Sequence, residues 1–425
     1  MEAIEQQAMI GALQRLLAAP SVKGEPLPGQ PFGPGVARAL EEALALCREL
    51  GLKTRCFDGY AGDATYEVPG ATETVGVLCH LDVVPAGEGW RYEPFAGTVE
   101  GGRIYGRGVV DDKGPAVAAL FGWQALLKGG FQPRRNLRFI FGCDEESGWA
   151  CMEHYQRCVP MPDLAIVPDG DFPVIHAEKG ILHLELHAAL QGCPVWARAG
   201  SRANVVPDRA EARVAGETLR ATGRTAHGAH PEQGENAIAR LVDQLAVRRD
   251  LGSAEPFIAM LRRCIGHEIH GEGLGLGFAD EVSGRLTLNL GLLDIGPERA
   301  SAVVDIRYPV TCPRDRVLEA VRGAVAPYGC DVAVRNDQAA LYIDRESPLI
   351  RTLMEAFAEE VGAADAQPLA IGGGTYARAM ANAAAFGPEW GDHCYGMHGP
   401  NENMEVAWLA ALARIYAGAL RRLAG

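Results

Sequence analysis

Apolar and polar positions along the first part of the chain switch repeatedly between strand and helix spacing. Short apolar runs typical of buried strands occupy residues 74–80, 136–143 and 163–167, and weaker β-type runs lie within 54–68. Helical spacing predicts helices over residues 1–17, 39–50 and 114–130. Strands that alternate with helices favour a helix-flanked mixed sheet, so the first part is predicted to be α/β.

The pattern changes near residue 179. Three stretches then alternate apolar and polar residues, as half-exposed antiparallel strands do, at 179–190, 285–296 and 300–310. Helices are predicted over 230–247 and 313–329. Helical spacing returns at 347–362 and 403–423. We therefore predict a discontinuous catalytic domain, residues 1–178 and 344–425, and an inserted α+β lid domain with an antiparallel sheet, residues 179–343.

The composition and net charge of the chain make some classes of protein and some binding partners unfavourable. The 425 residues are 48% hydrophobic and 22% charged, with a net charge of −14, so nucleic acid and anionic membranes are unfavourable partners. Eleven cysteines without a Cys-x-x-Cys spacing suggest neither a disulfide framework nor a thiolate zinc site. The N-terminus lacks the features of a secretory signal, and apolar runs are too short to span a membrane. We expect a cytoplasmic protein.

Polar side chains cluster where the predicted strands end. In open α/β sheets such side chains gather beyond the carboxyl ends of the strands. Carboxylates crowded at one edge repel each other unless cations neutralise them, and histidine with Asp and Glu suits zinc or a similar divalent ion. Two ions about 3.5–4 Å apart can share one carboxylate. The candidate residues are His80, Asp82, Asp111, Asp112, Glu145, Glu146, Asp169 and His398.

Each of these residues also has an ordinary structural interpretation. A single histidine after a strand is usually a loop residue, and paired acids are usually solvated. Asp112 could cap the helix that follows it, and the Pro-Asp-Gly sequence at 168–170 is a common turn. Only the conjunction of these residues at strand ends favours a metal site.

Five motifs follow one another along the chain: HLDVVP (80–85), GRGVVDDKGP (106–115), DEESG (144–148), PDGDFP (168–173) and HGPNE (398–402). Together they resemble the motifs of peptidase family M20, whose members include carnosinases, acetylornithine deacetylase and succinyl-diaminopimelate desuccinylase. Two further segments, SRANVVPD (201–208) and IGGGTYAR (371–378), look most like the PepV-like branch of bacterial dipeptidases. The resemblance spans nearly the whole chain.

The resemblance implies a role for each residue of the cluster. Two divalent metal ions would be bound, with zinc favoured and manganese or cobalt as alternatives. Asp82 would accept the free N–H of a metal-binding histidine, and Glu145 would be the general base. A cis peptide bond would join Asp111 to Asp112. The implied metal ligands are His80 and Asp169 on one ion, Glu146 and His398 on the other, and Asp111 bridging both.

The resemblance also implies substrate-binding residues in the inserted domain. His227 would donate a hydrogen bond to the oxyanion, and Asn204 and Arg307 would hold the substrate, Arg307 through a fork on its carboxylate. From the residues alone, His227 could equally be a surface turn residue and Arg307 an ordinary strand charge. The glycine-rich loop is either a tight turn or a pocket wall that contributes Gly373, Gly374 and Thr375.

The implied activity is hydrolysis of dipeptides, β-alanyl dipeptides among them, by a metal-bridging hydroxide. Two alternatives stay open: an N-acyl-amino-acid deacylase of the acetylornithine or succinyl-diaminopimelate type, and an inactive metal-binding relative. Segment 255–295 resembles the extra lid sequence of PepV-like chains, which favours a monomer. In a homodimer, His227 would instead reach the active site of the partner.

Overall fold

The computed structural model of this protein describes residues 6–425, which divide into two compact units. The predicted first helix is present as Gln6–Leu17, and the earlier residues of that prediction lie outside the described part of the chain. The first unit contains residues up to 176, 343–369 and 375–425, and the second contains 177–342 and 370–374. The sequence-based division instead assigned 370–374 to the catalytic domain.

The helices and strands are numbered here in chain order. The α-helices are α1 Gln6–Leu17, α2 Pro34–Glu49, α3 Lys113–Lys128, α4 Ala150–Cys158, α5 Ala237–Ala246, α6 Glu255–Met260, α7 Arg314–Val325, α8 Pro348–Val361 and α9 Val406–Ala424. The strands are β1 Lys53–Phe57, β2 Ala61–Tyr66, β3 Thr74–His80, β4 Thr98–Glu100, β5 Arg103–Tyr105, β6 Asn136–Gly142, β7 Leu164–Val167, β8 Ile175–Glu178, β9 Gly180–Ala189, β10 Trp196–Ala199, β11 Arg209–Val214, β12 Glu217–Thr222, β13 Ala279–Asp280, β14 Gly284–Arg285, β15 Thr287–Ile295, β16 Arg299–Tyr308, β17 Asp331–Gln338, β18 Leu341–Tyr342, β19 Leu369–Ile371, β20 Ala383–Ala385, β21 Cys394–Tyr395 and β22 Asn403–Glu405.

The main sheet of the first unit is mixed, in the order β1-β2-β6-β3-β7-β20-β8. Strand β3 lies between β6 and β7 and is parallel to both, and β20 is parallel to β7. Residues 75–80 of β3 are all buried, as expected for a central parallel strand covered on both faces. The carboxyl ends of β3, β6 and β7 therefore meet at one edge of the sheet.

Helix α3 packs against α1 and α9, and α8 packs against α9. Because α3 is buried almost all round, it is rich in small residues. Gly122 shows why: a Cβ there would lie 2.4 Å from the carbonyl oxygen of Ala413 in α9. The two helices could not approach this closely with a larger residue at that position. Within residues 6–425, no helix combines the length and apolar character needed to cross a bilayer.

The second unit is built on an antiparallel sheet in the order β12-β11-β10-β15-β16-β9-β17. Alternate residues of β9 belong to different faces: Leu182, Leu184 and Leu186 are in the apolar core, while His183 and His187 are half-buried on the other face. Helices α5, α6 and α7 and the neighbouring strands contribute further residues to that core. The α/β fold class predicted from the sequence is confirmed.

Candidate active site

The residues singled out at the strand ends of the first unit come together at the edge where β3, β6 and β7 terminate. His80 is the last residue of β3, and Glu145 and Glu146 follow β6 by three and four positions. Asp169 lies just beyond β7. Asp111 precedes α3, and His398 lies in the loop between β21 and β22.

The Asp111 carboxylate is shared between the two histidines. Its Oδ1 lies 2.6 Å from His80 Nε2, and its Oδ2 lies 2.8 Å from His398 Nε2. Two sets of potential ligand atoms meet here, each within 4.8 Å of one another: His80 with Asp111 and Asp169, and Asp111 with Glu146 and His398. One carboxylate common to both sets is the arrangement that two adjacent cations require.

The electrostatics of the cluster fit bound cations. The hydrogen bond to Asp111 and the neighbouring Glu146 carboxylate raise the pKa of His398 to about 11. Burial alone would lower the pKa of His80, but the charge and hydrogen bond of Asp111 together with the charges of Asp169 and Asp82 raise it well above its usual value. The buried Oε1 of Glu146 lies 3.2 Å from His398 Nε2, an ion-pair contact without a well-aligned hydrogen bond. The site therefore stabilises positive charge and leaves a carboxylate oxygen available to a metal ion.

Asp82 does not make the predicted contact with His80. The Nδ1 of His80 is 2.9 Å from the backbone carbonyl oxygen of Asp82 and 3.8 Å from its Oδ1. The carboxylate instead accepts the backbone N–H groups of Glu145 at 3.0 Å and Glu146 at 3.1 Å. The prediction was wrong because the chain turns directly after β3, which brings the carbonyl rather than the carboxylate to the ring. Asp82 thus holds the loop that carries both glutamates.

Glu145 is half-buried and lies among other acids. Burial and the charge of Asp169 raise its pKa well above the usual value of a glutamate. A raised pKa brings a carboxylate closer to the range in which it can both accept and return a proton near neutral pH. This environment suits a general base or acid.

A cis peptide bond joins Asp111 and Asp112, which confirms the expectation from the family resemblance. Asp112 stands at the position before α3, but its side chain makes no capping hydrogen bond. Its Oδ2 instead accepts the backbone N–H of His80 at 3.2 Å. Asp112 therefore connects the start of α3 to the end of β3.

Comparison with known proteins identifies the family. The model of "Peptidase family M20/M25/M40" matches residues 76–422. The chain belongs to this family. The resemblance inferred from the motifs is confirmed, and so is the prediction of a hydrolytic enzyme.

Relatives of this M20 peptidase cover its whole length. "Putative dipeptidase YtjP" of Bacillus subtilis is 32% identical, over 99% of this chain and 98% of its own. Human carnosine dipeptidase 1 shares the fold with a TM-score of 0.64 at 15% identity, covering 99% of this chain and 96% of its own. Bacillus subtilis YXEP, titled a dinuclear metal binding peptidase from the M20 family, has a TM-score of 0.57 at 10% identity, over 99% and 98% of the two chains.

Sequence reasoning missed Glu402 of this M20 peptidase. The residue is fully buried and forms an ion pair with Arg107, with Oε2 2.6 Å from Nη1. Its carboxylate also accepts the backbone N–H groups of Gly108 at 3.0 Å and Val110 at 2.8 Å. It thereby fixes the loop that leads to Asp111. The signal available in the sequence was a glutamate four residues after His398, within the same motif.

Asn204 and His227 lie on adjacent loops of the second unit. Val205 and His227 form an antiparallel bridge, and the N–H of Gly228 donates to the carbonyl of Asn204 at 2.8 Å. The His227 side chain is exposed, and its Nδ1 is 3.3 Å from the backbone N of Ala229. The two side chains predicted to bind substrate are thus held close together by their backbones.

Arg307 makes a different contact from the one predicted. Its Nε and Nη2 donate to the two carboxylate oxygens of Asp305, at 2.7 and 2.9 Å, and Nη1 donates to the carbonyl of Gly372 at 3.0 Å. The Nε and Nη2 donors of Arg307 therefore form a fork on Asp305 within the second unit, so this pair of donors is not available to a substrate carboxylate. Asp305, two residues away on the same face of β16, satisfies it.

The glycine-rich loop is divided between the units. Gly373 and Gly374 are half-buried in segment 370–374 of the second unit. Thr375 begins the return to the first unit, is buried, and accepts the N–H of Ala377 through its Oγ1 at 3.2 Å. Its hydroxyl therefore caps the short 3-10 turn Tyr376–Ala379.

Proposed function

We propose that this M20 peptidase is a dipeptidase that depends on two divalent metal ions. The observation that carries the proposal is the Asp111 carboxylate shared between His80 and His398, with Glu145 beside it in the same acidic cluster. The name of the curated relative from Bacillus subtilis supports a dipeptide as the substrate.

His80, Asp111 and Asp169 would hold one ion, and Asp111, Glu146 and His398 the other. Bound divalent ions supply Lewis acidity, which polarises a carbonyl group and lowers the pKa of water. The ligands are nitrogen and oxygen atoms without thiolate, which suits zinc, with manganese and cobalt as alternatives.

Glu145 takes the proton of the attacking water and then delivers it to the leaving amine. Its pKa, raised by burial and by Asp169, favours both halves of this transfer near neutral pH. Asp82 aims the carboxylate by holding the backbone N–H of Glu145. The side chain of Glu145, which carries the proton, therefore extends from a backbone that is hydrogen-bonded to Asp82, two residues after β3.

Six residues outside the metal cluster bind the substrate in this proposal. His227 donates to the oxyanion that forms on the scissile carbonyl, and Asn204 orients the substrate. Arg307 donates to the substrate through the remaining N–H hydrogens of Nη1 and Nη2, which do not bond to Gly372 or Asp305. Gly373, Gly374 and Thr375 contact the substrate's terminal carboxylate. A monomeric state stays a prediction, which the mass of the protein in solution checks.

The experiment that tests the proposed function is Glu145→Gln, assayed on a panel of dipeptides and N-acetyl-amino acids. We expect the wild type to cleave dipeptides faster than acyl-amino acids. The variant should lose about 10²–10⁴-fold in kcat with an unchanged metal content, because the amide cannot accept the proton. Glu153→Gln, an exposed glutamate on α4 of the same unit, is the matched control and should retain full activity.

Two results would count against the proposal. Residual kcat within about tenfold of the wild type would remove Glu145 from its role. Faster cleavage of N-acetyl-amino acids than of any dipeptide would assign the enzyme to the deacylases.

A further inference from the structure

Asn289, near the start of β15, joins that strand to the loop that carries Asn204. The side chain is 2% exposed. Its Nδ2 donates to the carbonyl oxygen of Ala203 at 2.8 Å and to that of Val205 at 3.0 Å. These two carbonyls lie immediately before and after Asn204, so one buried amide group holds the backbone on both sides of that residue.

The same loop is tied to the segment that carries His227. Besides the Val205–His227 bridge and the bond from Gly228 to Asn204, the N–H of Val206 donates to the carbonyl of Ala226 at 2.9 Å. Both flanks of His227 are therefore bonded to the 204–206 backbone. A shift of the Asn204 loop would displace His227 with it.

A second amide fixes the orientation of Asn289. Asn236 donates through Nδ2 to Asn289 Oδ1 at 3.2 Å and to the carbonyl of Leu290 at 2.8 Å. Its Oδ1 caps α5 by accepting the N–H groups of Ile238 and Ala239. Since Asn289 Oδ1 is thus an acceptor, its Nδ2 faces the two loop carbonyls as a donor.

Gly291 brings the backbone of β15 against the same loop. The pairing of β15 with β16 is irregular between Leu290 and Leu292, as at a β-bulge. A Cβ at Gly291 would lie 2.2 Å from the carbonyl oxygen of Ala203 and 2.6 Å from its Cα. Both partners in this contact are backbone, so they cannot give way as a flexible side chain would.

We propose that Asn289 is a positioning residue for the hydrolytic reaction, which holds Asn204 and His227 in one fixed arrangement for the substrate. The inference rests on the proposed function, because it takes these two residues to bind the substrate. Asn289 itself contacts neither substrate nor metal ligand. It acts through the carbonyl oxygens of Ala203 and Val205, both of which accept a hydrogen bond from its side chain.

Asn289→Asp tests the proposal, because it keeps the volume and replaces the two donated hydrogens with an oxygen that repels both carbonyls. We expect kcat/KM for dipeptides to fall by about 10²-fold, the cost of misplacing a binding group by about 1 Å. Metal content should stay equal to that of the wild type, since the candidate ligands belong to the other unit. Asn336→Asp makes the same change on β17 of the same sheet and should leave kcat/KM unaltered.

A double-mutant cycle separates positioning from general damage. If Asn289 acts by placing Asn204 and His227, the fold-loss caused by Asn289→Asp should be smaller in the Asn204→Ala background than in the wild type, because one of the two groups that it positions is already gone. An undiminished loss in the Asn204→Ala background would overturn the proposal. So would a kcat/KM of Asn289→Asp within about 2-fold of the wild type.

Gly291→Ala supplies an independent disturbance of the same loop if thermal unfolding shows that Asn289→Asp does not fold. It should lower kcat/KM with unchanged metal content, and a value equal to the wild type would overturn the proposal in that case. These failures differ from failure of the proposed function. The latter appears as a wild type without dipeptidase activity or as an active Glu145→Gln variant.

Discussion

The Asp82 carboxylate binds the backbone of Glu145, whose N–H it accepts at 3.0 Å. Its other oxygen binds the backbone of the adjacent glutamate in the same way. One buried side chain after β3 thus determines where a proposed proton carrier and a proposed metal ligand after β6 are placed.

Removing this carboxylate should weaken metal binding without touching a ligand. We expect Asp82→Ala to lower the affinity for divalent ions by about 10–100-fold, because the loop that carries Glu146 loses two hydrogen bonds. Calorimetric titration of the metal-free protein with zinc measures the affinity. Asp365→Ala, an exposed aspartate in the same unit, is the control. Equal affinity in both variants would contradict the role assigned to Asp82.

Metal removal should abolish hydrolysis and lower stability. Chelation leaves the acid cluster without its counter-charges, and an ion present at about 100 times its Kd stabilises the fold by about 2.7 kcal/mol. We expect two ions per chain by elemental analysis, a higher unfolding temperature after zinc is restored, and recovery of activity with it. Asp111→Asn should recover neither, since it removes the charge shared by both ligand sets. Full activity of exhaustively chelated wild type would refute metal dependence.

The buried ion pair of Glu402 and Arg107 should matter more to stability than an ordinary surface pair. Glu402→Ala leaves the Arg107 guanidinium, 1% exposed, without its counter-charge, and we expect a loss of about 3–5 kcal/mol in the free energy of unfolding. Glu405→Ala, three residues further along the chain, removes partly exposed pairs with Arg103 and His393 and should cost only about 1 kcal/mol. Urea unfolding measures both. Similar losses in the free energy of unfolding for the two variants would show that burial does not make the Glu402–Arg107 pair more important to stability than an exposed pair.

We expect the ionised carboxylate of Asp305 to make a pH-dependent contribution to the stability of the second unit. Burial alone would raise its pKa, but the charge of Arg307 and the contact with His183 lower it below the ordinary value of 3.8. A lowered pKa stabilises the fold above pH 3.8, and this contribution disappears as the pH falls through the folded-state value. We expect Asp305→Asn to lose about 3–5 kcal/mol at pH 7 and less near pH 3.

Urea unfolding of the wild type and Asp305→Asn at the two pH values checks this prediction. Asp294→Asn, an exposed aspartate on neighbouring β15, should lose under about 1 kcal/mol at both. A loss in Asp305→Asn that does not depend on pH would show that the carboxylate is not stabilised by its charge.

Most helices, the strands β3, β6 and β7, and the placement of candidate ligands near their ends could be predicted from the sequence because these features depend on local pattern. Each candidate ligand stands beside the end of a strand or the start of a helix, and parallel strands bring their carboxyl ends together wherever such a sheet forms. His80 after an apolar run and Asp169 after another are examples. The contact between Asp111 and His398 does not follow from that topology, because His398 lies between β21 and β22 of a separate antiparallel sheet.

The contacts of individual side chains could not be predicted in the same way. Whether His80 meets the carboxylate or the carbonyl of Asp82 depends on the dihedral angles of a turn. The partners of Arg307 and Glu402 depend on which groups are left unsatisfied once the chain is folded. Such pairings are set by tertiary packing, and alternation of apolar residues carries no information about them.

The shared carboxylate has a consequence for biosynthesis. Asp111 and His398 belong to one unit but are separated by the entire inserted unit, so a ribosome must make all of that insertion before the last ligand leaves the exit tunnel. Domains generally fold as units during translation, and here the second can do so first. A nascent chain stalled within residues 177–342 should therefore retain at most one of the two ions, and the holoenzyme arises only late in synthesis.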